Sequence, residues 1–195
     1  MNKKKKILLI DLHPDSQSFC SVMAQKYVDG AIASEFEVKI IKVRELNFDN
    51  VLHFGYREIQ ALEPDLIQAQ EEIKWCSHLV FVTPVWWGSI PSSAKGFIDR
   101  VLLSGFSYKF DIKKKMPVGL LKNRSASVIY TQGAPFIYSK FFTGDAFWNF
   151  MKICILQFCG FSNIKRKCFD KVKSGTDKER LEILNETYEL GKKGF

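Results

Sequence analysis

Two periods of hydrophobicity alternate along this chain. Short apolar runs at residues 7–10, 38–43, 79–82, 126–130 and 164–169 are bounded by polar turns and read as β-strands. Between them, apolar residues recur three and four positions apart, the spacing of a helix with one buried face. This predicts helices over 18–33, with Val22, Tyr27 and Ile32 among the apolar positions, and from Pro64 to about Cys76. Pro64 suits a first helical turn, and Asp65 beside it complements the positive end of the helix dipole. A third helix follows Pro91, striped by Ala94, Phe97, Ile98, Val101 and Leu102; a fourth covers 145–158 with Phe147, Phe150, Met151, Cys154 and Ile155; a fifth covers 177–190. Residues 47–63 read as loop-rich, 105–110 as an excursion ending in a lysine-rich turn, and the stretch after 130 as a long loop. Strands alternating with helices predict βαβ units, hence an α/β three-layer sandwich around a five-stranded parallel sheet. Periodicity alone does not set the strand order. No repeat, low-complexity tract or linker interrupts the pattern, so residues 1–195 are expected to form one domain.

Composition narrows the picture little: 195 residues, 46% hydrophobic and 26% charged, suit a globular chain. The net charge of +8 raises nucleic acid or anionic ligands as partners. The basic residues are scattered, however, in short runs at 3–6, 113–115, 165–167 and 192–193. No aromatic-rich RNA-binding motif, helix-turn-helix spacing or zinc finger accompanies them, so solvated lysines are the preferred reading and no nucleic-acid partner is expected. Five cysteines, an odd number in a chain too large to need staples, suggest reduced, mostly buried thiols and a cytoplasmic protein. The apolar run after Lys6 stops at Asp11, too short for a secretory core, and no later segment is long enough to span a bilayer.

Candidate chemistry gathers after three of the predicted strands. The first loop, DLHPDSQSFC, opens a helix, where Ser16, Ser18 and free backbone N–H groups form an anion receptor and His13 adds a polar contact; a plain N-cap role for either serine explains the same residues. The second, TPVWWGSIP, places Trp86 and Trp87 in a turn between Pro84 and Pro91, with Val85 and Gly88. Two adjacent tryptophans in a turn do not both fit one core, so at least one faces a flat ligand or a partner subunit. The third loop holds Thr131, Gln132, Gly133 and Ala134, and Gly133 permits close backbone approach. Parallel strands share a direction, so the three loops lie at one edge of the sheet and together suit a phosphate plus a planar ring. The chain lacks the G-x-G-x-x-G and Walker loops and a G-x-S-x-G elbow, and His13, His53 and His78 lack metal spacing with the cysteines, so no metal site is expected.

Taken together, HPDSQSF, PVWWGSIP through AKGFIDRV, GFSYKF, the TQGA loop, and FTGDAFW with ILQFCGF resemble the flavodoxin-like NAD(P)H:quinone oxidoreductase family, especially its small bacterial members, over nearly the whole chain. The resemblance implies a flavodoxin-like fold and a homodimeric flavoprotein that passes hydride from NAD(P)H to a quinone or similar flat acceptor. By position, His13, Ser18, Phe19 and Cys20 match the loop holding the flavin phosphate, with Cys20 standing where relatives commonly carry asparagine. Pro84, Val85, Trp86 and Trp87 match the segment along the isoalloxazine, and Thr131, Gln132 and Gly133 the loop at its pyrimidine side. Tyr138 matches a tyrosine that assists charge redistribution with a histidine, whose place Thr143 takes here.

Asp99 and Arg180 match residues that contact the adenosine of FAD in FAD-using relatives, but the expected glutamine is missing near His53 to Arg57, which favours FMN while leaving FAD open. One pocket serving both substrates in turn predicts ping-pong kinetics. The same resemblance allows a second reading, a flavin-binding redox sensor or regulatory subunit of a membrane transporter. A one-electron carrier is disfavoured, since such carriers are usually acidic.

Overall fold

A computed structural model describes residues 4–113, 115–170 and 172–195; Lys3 and Lys114 of the basic runs noted above, with Met1, Asn2 and Lys171, lie outside the described residues. In chain order the elements are β1 (Lys6–Asp11), α1 (Phe19–Ala33), β2 (Glu37–Lys42), α2 (Pro64–Trp75), β3 (His78–Pro84), α3 (Ser92–Val101), β4 (Tyr108–Asp111), β5 (Met116–Gly119), β6 (Ser125–Gln132), α4 (Phe136–Phe142), α5 (Ala146–Asn149), β7 (Ser162–Asp170) and α6 (Asp177–Lys192). Five strands form a parallel sheet in the order β2-β1-β3-β6-β7. The chain steps from β1 outward to β2 and returns on the other side as β3, which opens a crevice at the strands' carboxyl ends.

The central strands β1, β3 and β6 are buried on both faces because their residues alternate between two cores, while the edge strands β2 and β7 are mostly half-buried. Leu8, Ile10, Phe81, Val128 and Tyr130 pack with α2, α3 and the helix after α5. Ile7, Leu9, Val80, Val82 and Ile129 pack with α1 and α6. On α1 the buried stripe is Met23, Ala24, Tyr27, Val28 and Ala31, while Val22 and Ile32 face outward. Contact between helix backbones sets that rotation. A Cβ on Gly30 would stand 2.0 Å from the Tyr188 carbonyl oxygen, and one on Gly191 would stand 2.0 Å from that of Tyr27.

Three segments differ from the expectation. The excursion after α3 is an antiparallel hairpin, β4 with β5. The long loop after β6 contains α4. The helix expected over 145–158 begins as α5 and continues as a π-helix over Phe150–Gln157. Phe147, Met151, Ile155 and Cys159 are buried and recur every fourth position, a period between the α and π windings, so under-winding keeps all four on the core, with Leu156 buried beside Ile155, while Cys154 turns outward.

The loop between β2 and α2 is fastened to α3 by Arg100, a fully buried side chain. Its guanidinium donates to the Asp49 and Ala61 carbonyls at 2.7 and 2.8 Å and to Glu63 Oε2 at 2.9 Å. Among the described residues no helix is long and apolar enough to cross a membrane.

Candidate cofactor-binding cleft

Asp11, the last residue of β1, is buried, and Arg44 Nη1, from the turn after β2, reaches its Oδ2 at 2.6 Å. The same nitrogen donates to the His13 carbonyl at 3.2 Å and to Ser21 Oγ at 3.1 Å, so one guanidinium fixes both ends of the first loop. His13 Nδ1 accepts from the Asp15 N–H at 3.0 Å, which leaves the ring proton of a neutral imidazole on Nε2. Burial, opposed by Asp11 and Asp15, holds the His13 pKa below its usual value, so the ring is neutral at pH 7. Ser18 caps α1, its Oγ accepting from the Ser21 N–H at 3.1 Å. The N–H groups of Phe19 and Cys20, at the first two helical positions, have no partner inside the helix and point out of its positive end.

Cys20 stands at the junction of two loops, its Sγ 3.2 Å from Thr131 Oγ1. Burial pushes the thiol up to about 12, so it is a neutral packing group at physiological pH. Beside it the Val85 N–H extends the sheet ladder to the Thr131 carbonyl at 2.8 Å. Trp86 and Ser89 then exchange both backbone hydrogen bonds at 2.9 Å around a two-residue turn, with Trp87 at φ 51° and Gly88 at φ 72°. That is the left-handed geometry of a tight hairpin turn, easy for glycine and strained for tryptophan. The turn separates the two indoles: Trp86 meets the His13 ring edge-on at 5.5 Å, whereas Trp87 is fully exposed.

After β6 the Gln132 side-chain amide donates to the Ala134 carbonyl at 2.9 Å and to Ser139 Oγ at 3.0 Å. A Cβ built on Gly133 would meet nothing within 4 Å, so its backbone borders open space. The Phe136 N–H donates to Asp170 Oδ2 at 2.6 Å, and Arg166 pairs with Asp145, so both ends of the α4 segment are tied to β7. Tyr138 is half exposed and stacks on Phe142 at 5.0 Å; Thr143 Oγ1 donates to the Ser139 carbonyl at 2.8 Å.

These loops enclose two adjoining cavities at the carboxyl edge of the sheet. One, of about 410 Å³, is walled by His13, Phe19, Cys20, Pro84, Val85, Trp86, Thr131, Gln132 and Gly133, together with Val172, Lys173 and Arg180. The other, of about 240 Å³, shares Val85, Gln132 and Gly133 with it and adds Gly88, Ala134, Tyr138, Ser139, Thr143 and Asp145. Of the residues singled out from sequence, Ser16, Ser18 and Trp87 line neither cavity. Asp99 lies elsewhere, paired with Lys95 at 2.8 Å in a third cavity, so it and Arg180 share no cavity within one chain.

Sequence reasoning missed the loop after β7, although the rule that parallel strands deliver their loops to one edge applies to β7 as to β1, β3 and β6. It also missed the Asp11–Arg44 pair. An acid closing an apolar strand was the available signal for Asp11, while nothing local in sequence joins it to Arg44.

The model of the flavodoxin-like fold family matches residues 5–190, and the chain belongs to that family. It is 29% identical over 184 residues to an uncharacterized NAD(P)H oxidoreductase of Haemophilus influenzae, covering 91% of this chain and 89% of that protein. It is 27% identical over 181 residues to the rat ribosyldihydronicotinamide dehydrogenase [quinone], covering 80% of this chain and 78% of the relative. An FMN-dependent NADH-azoreductase from Bacillus anthracis, solved in complex with FMN, superposes with a TM-score of 0.72 at 19% identity, over 97% of this chain and 98% of that one, and so shares the fold.

Proposed function

We propose that this chain is a flavin-dependent oxidoreductase that passes reducing equivalents from NAD(P)H to quinones or similar flat acceptors, with FMN as the favoured cofactor. The observation that carries the proposal is the convergence of the loops after β1, β3 and β6 on one cleft, with an anion-receptive helix start at one end and the open face of Gly133 at the other. The names of the oxidoreductase and quinone-dehydrogenase relatives support the activity, and the FMN of the azoreductase supports the cofactor.

The residues present fit such a group. The Phe19 and Cys20 N–H groups and His13 Nε2 would be the donors for its phosphate. Trp86 and Pro84 form a flat wall, and the glycine leaves room where any side chain would fill the ring's place. A bound flavin supplies the hydride chemistry itself, accepting from a nicotinamide and donating to the acceptor. The protein's part is placement, exclusion of water and charge stabilisation. Backbone N–H groups around Gln132 and Gly133 are the candidates that would stabilise charge on the electron-rich edge of a bound ring, and single donors in comparable oxyanion settings contribute about 3 kcal/mol. Tyr138, on the wall of the smaller cavity, is the candidate to hold or deliver a proton at its hydroxyl, with Thr143 in place of the family's histidine.

If both substrates share this one cleft they must alternate, and double-reciprocal plots would be parallel; intersecting lines would refute this order. The exposed rim at Trp87 and α4 supports a homodimer, and five free cysteines support a cytoplasmic setting. The deciding experiment is an absorbance spectrum of the purified protein before and after anaerobic addition of NADH or NADPH. Bleaching of the flavin band is expected. A protein that takes up neither FMN nor FAD would overturn the proposal, and stoichiometric flavin that neither nucleotide bleaches would favour a redox sensor. Gly133→Val fills the ring's place with little effect on the fold, so it yields a stable but colourless protein; a fully yellow variant would remove Gly133 from the site.

A further inference from the structure

The loop after β7 brings a cation into the larger cavity that neither the motif resemblance nor the sequence pattern assigns. Arg180, the residue matched to an adenosine contact, is largely spent on its own loop. Its guanidinium donates to the Lys173 carbonyl at 3.3 Å, contacts the Val172 carbonyl at 3.5 Å and lies 3.6 Å from Asp177. Lys173 is held at the cavity wall by that bracing, and its ammonium forms no ion pair among the described residues. Beyond Arg180 the space continues into a neighbouring cavity of about 500 Å³ whose charged lining is mainly acidic, with Asp170, Glu179, Glu182 and Glu186. The positive wall therefore stops at Arg180 and a negative one begins.

We propose that Lys173 is a specificity-determining residue that selects a flavin ending in a phosphate monoester. The inference rests on the flavin-binding proposal and extends it to the cofactor's tail. A monoester concentrates nearly two negative charges on one group at pH 7, the best partner for a single mobile ammonium at a cleft wall. A dinucleotide spreads its charge over a pyrophosphate and must carry it on toward the carboxylates. His13 Nε2 and the start of α1 take the phosphate from one side, and Lys173 closes on it from the other.

The test is a fluorescence titration of the flavin-free protein with riboflavin, FMN and FAD, for the wild type and for Lys173→Ala and Lys173→Glu, at low and high salt. The wild type is expected to bind FMN more tightly than either of the others. Lys173→Ala should weaken FMN about fivefold at roughly 0.01 M ionic strength, an effect that fades near 1 M, and should leave riboflavin unchanged. Lys173→Glu should weaken FMN further and narrow its margin over FAD. An unchanged FMN-to-riboflavin ratio in both variants, or equal losses for all three flavins, would overturn the role of Lys173 while leaving the flavin reading intact. Failure of the wild type to bind any of the three would instead sink that reading, and this inference with it.

Discussion

Where α1 crosses α6, two glycines let backbone touch backbone, with no room for a methyl group on either helix. At the rim of the cleft the chain does the opposite. Trp87 is fully exposed in a strained turn, and α4 buries none of its residues, leaving Phe141 and Phe142 72% and 77% exposed. The closed region packs within one chain, and at the helix contact only glycine fits, so its tolerance there is low. The rim carries large apolar surface that finds no cover in the monomer, which is what a surface completed by a ligand or a second copy looks like.

The sharpest way to break this contrast is Gly30→Ala. The added Cβ meets the Tyr188 carbonyl at 2.0 Å, and backbone cannot swing aside, so destabilisation of about 3 kcal/mol or more is expected. That outweighs the roughly 1 kcal/mol alanine otherwise gains over glycine inside a helix. Thermal unfolding should fall by roughly 6–12 °C, and an unchanged midpoint would mean the helices are not in contact.

The closed region also contains His78, buried at the start of β3 with Nδ1 2.7 Å from Ser125 Oγ and Nε2 2.8 Å from a main-chain oxygen of Phe195. Burial, aided by Lys5, lowers its pKa to about 4 from 6.5. The unfolded chain therefore binds a proton first on acidification. Stability is full above about pH 6.5 and is lost progressively as pH falls toward 4, by on the order of 3 kcal/mol. Denaturant midpoints measured across that range for wild type and His78→Gln would show it: the variant's profile should be flatter, and identical slopes would contradict the assignment.

The smallest effect on stability is expected at the rim. Replacing Phe141 and Phe142 together with serine should change the monomer's unfolding free energy by less than about 0.5 kcal/mol, because neither ring packs into the core. On the homodimer proposed above, sedimentation equilibrium should nonetheless show the wild type as a dimer and the variant shifted toward monomer. A large loss of stability in the monomer, or an unaltered mass, would erase the distinction between a self-sufficient back layer and an unfinished rim.

The three central strands were legible because each is a short apolar run that both faces of the sheet bury, whereas the edge strands β2 and β7 alternate apolar with charged residues and are mostly half-buried. Three loops of the cleft were legible from the shared direction of parallel strands. Other features were hidden for identifiable reasons. Val22 and Ile32 look like core residues, but the close approach at Gly30 and Gly191 turns them outward. The π-winding follows from a strict four-residue spacing that also passes for an ordinary helix. Helix α4 is short and apolar on most sides, so it offers no periodic stripe.

By itself, then, the sequence determined the class of fold, the edge of the sheet where the cleft opens, and most of the residues that line it, because these depend on local periodicity and chain direction. Tertiary structure alone decided which of two chemically equal neighbours does what. Trp86 faces the cleft and Trp87 the solvent because Trp87 is itself the first of the two left-handed residues that reverse the chain between Trp86 and Ser89. Arg100 is buried as a structural bolt, while Lys173 stays free at the cleft wall, because only packing at long sequence separation determines which charge finds partners.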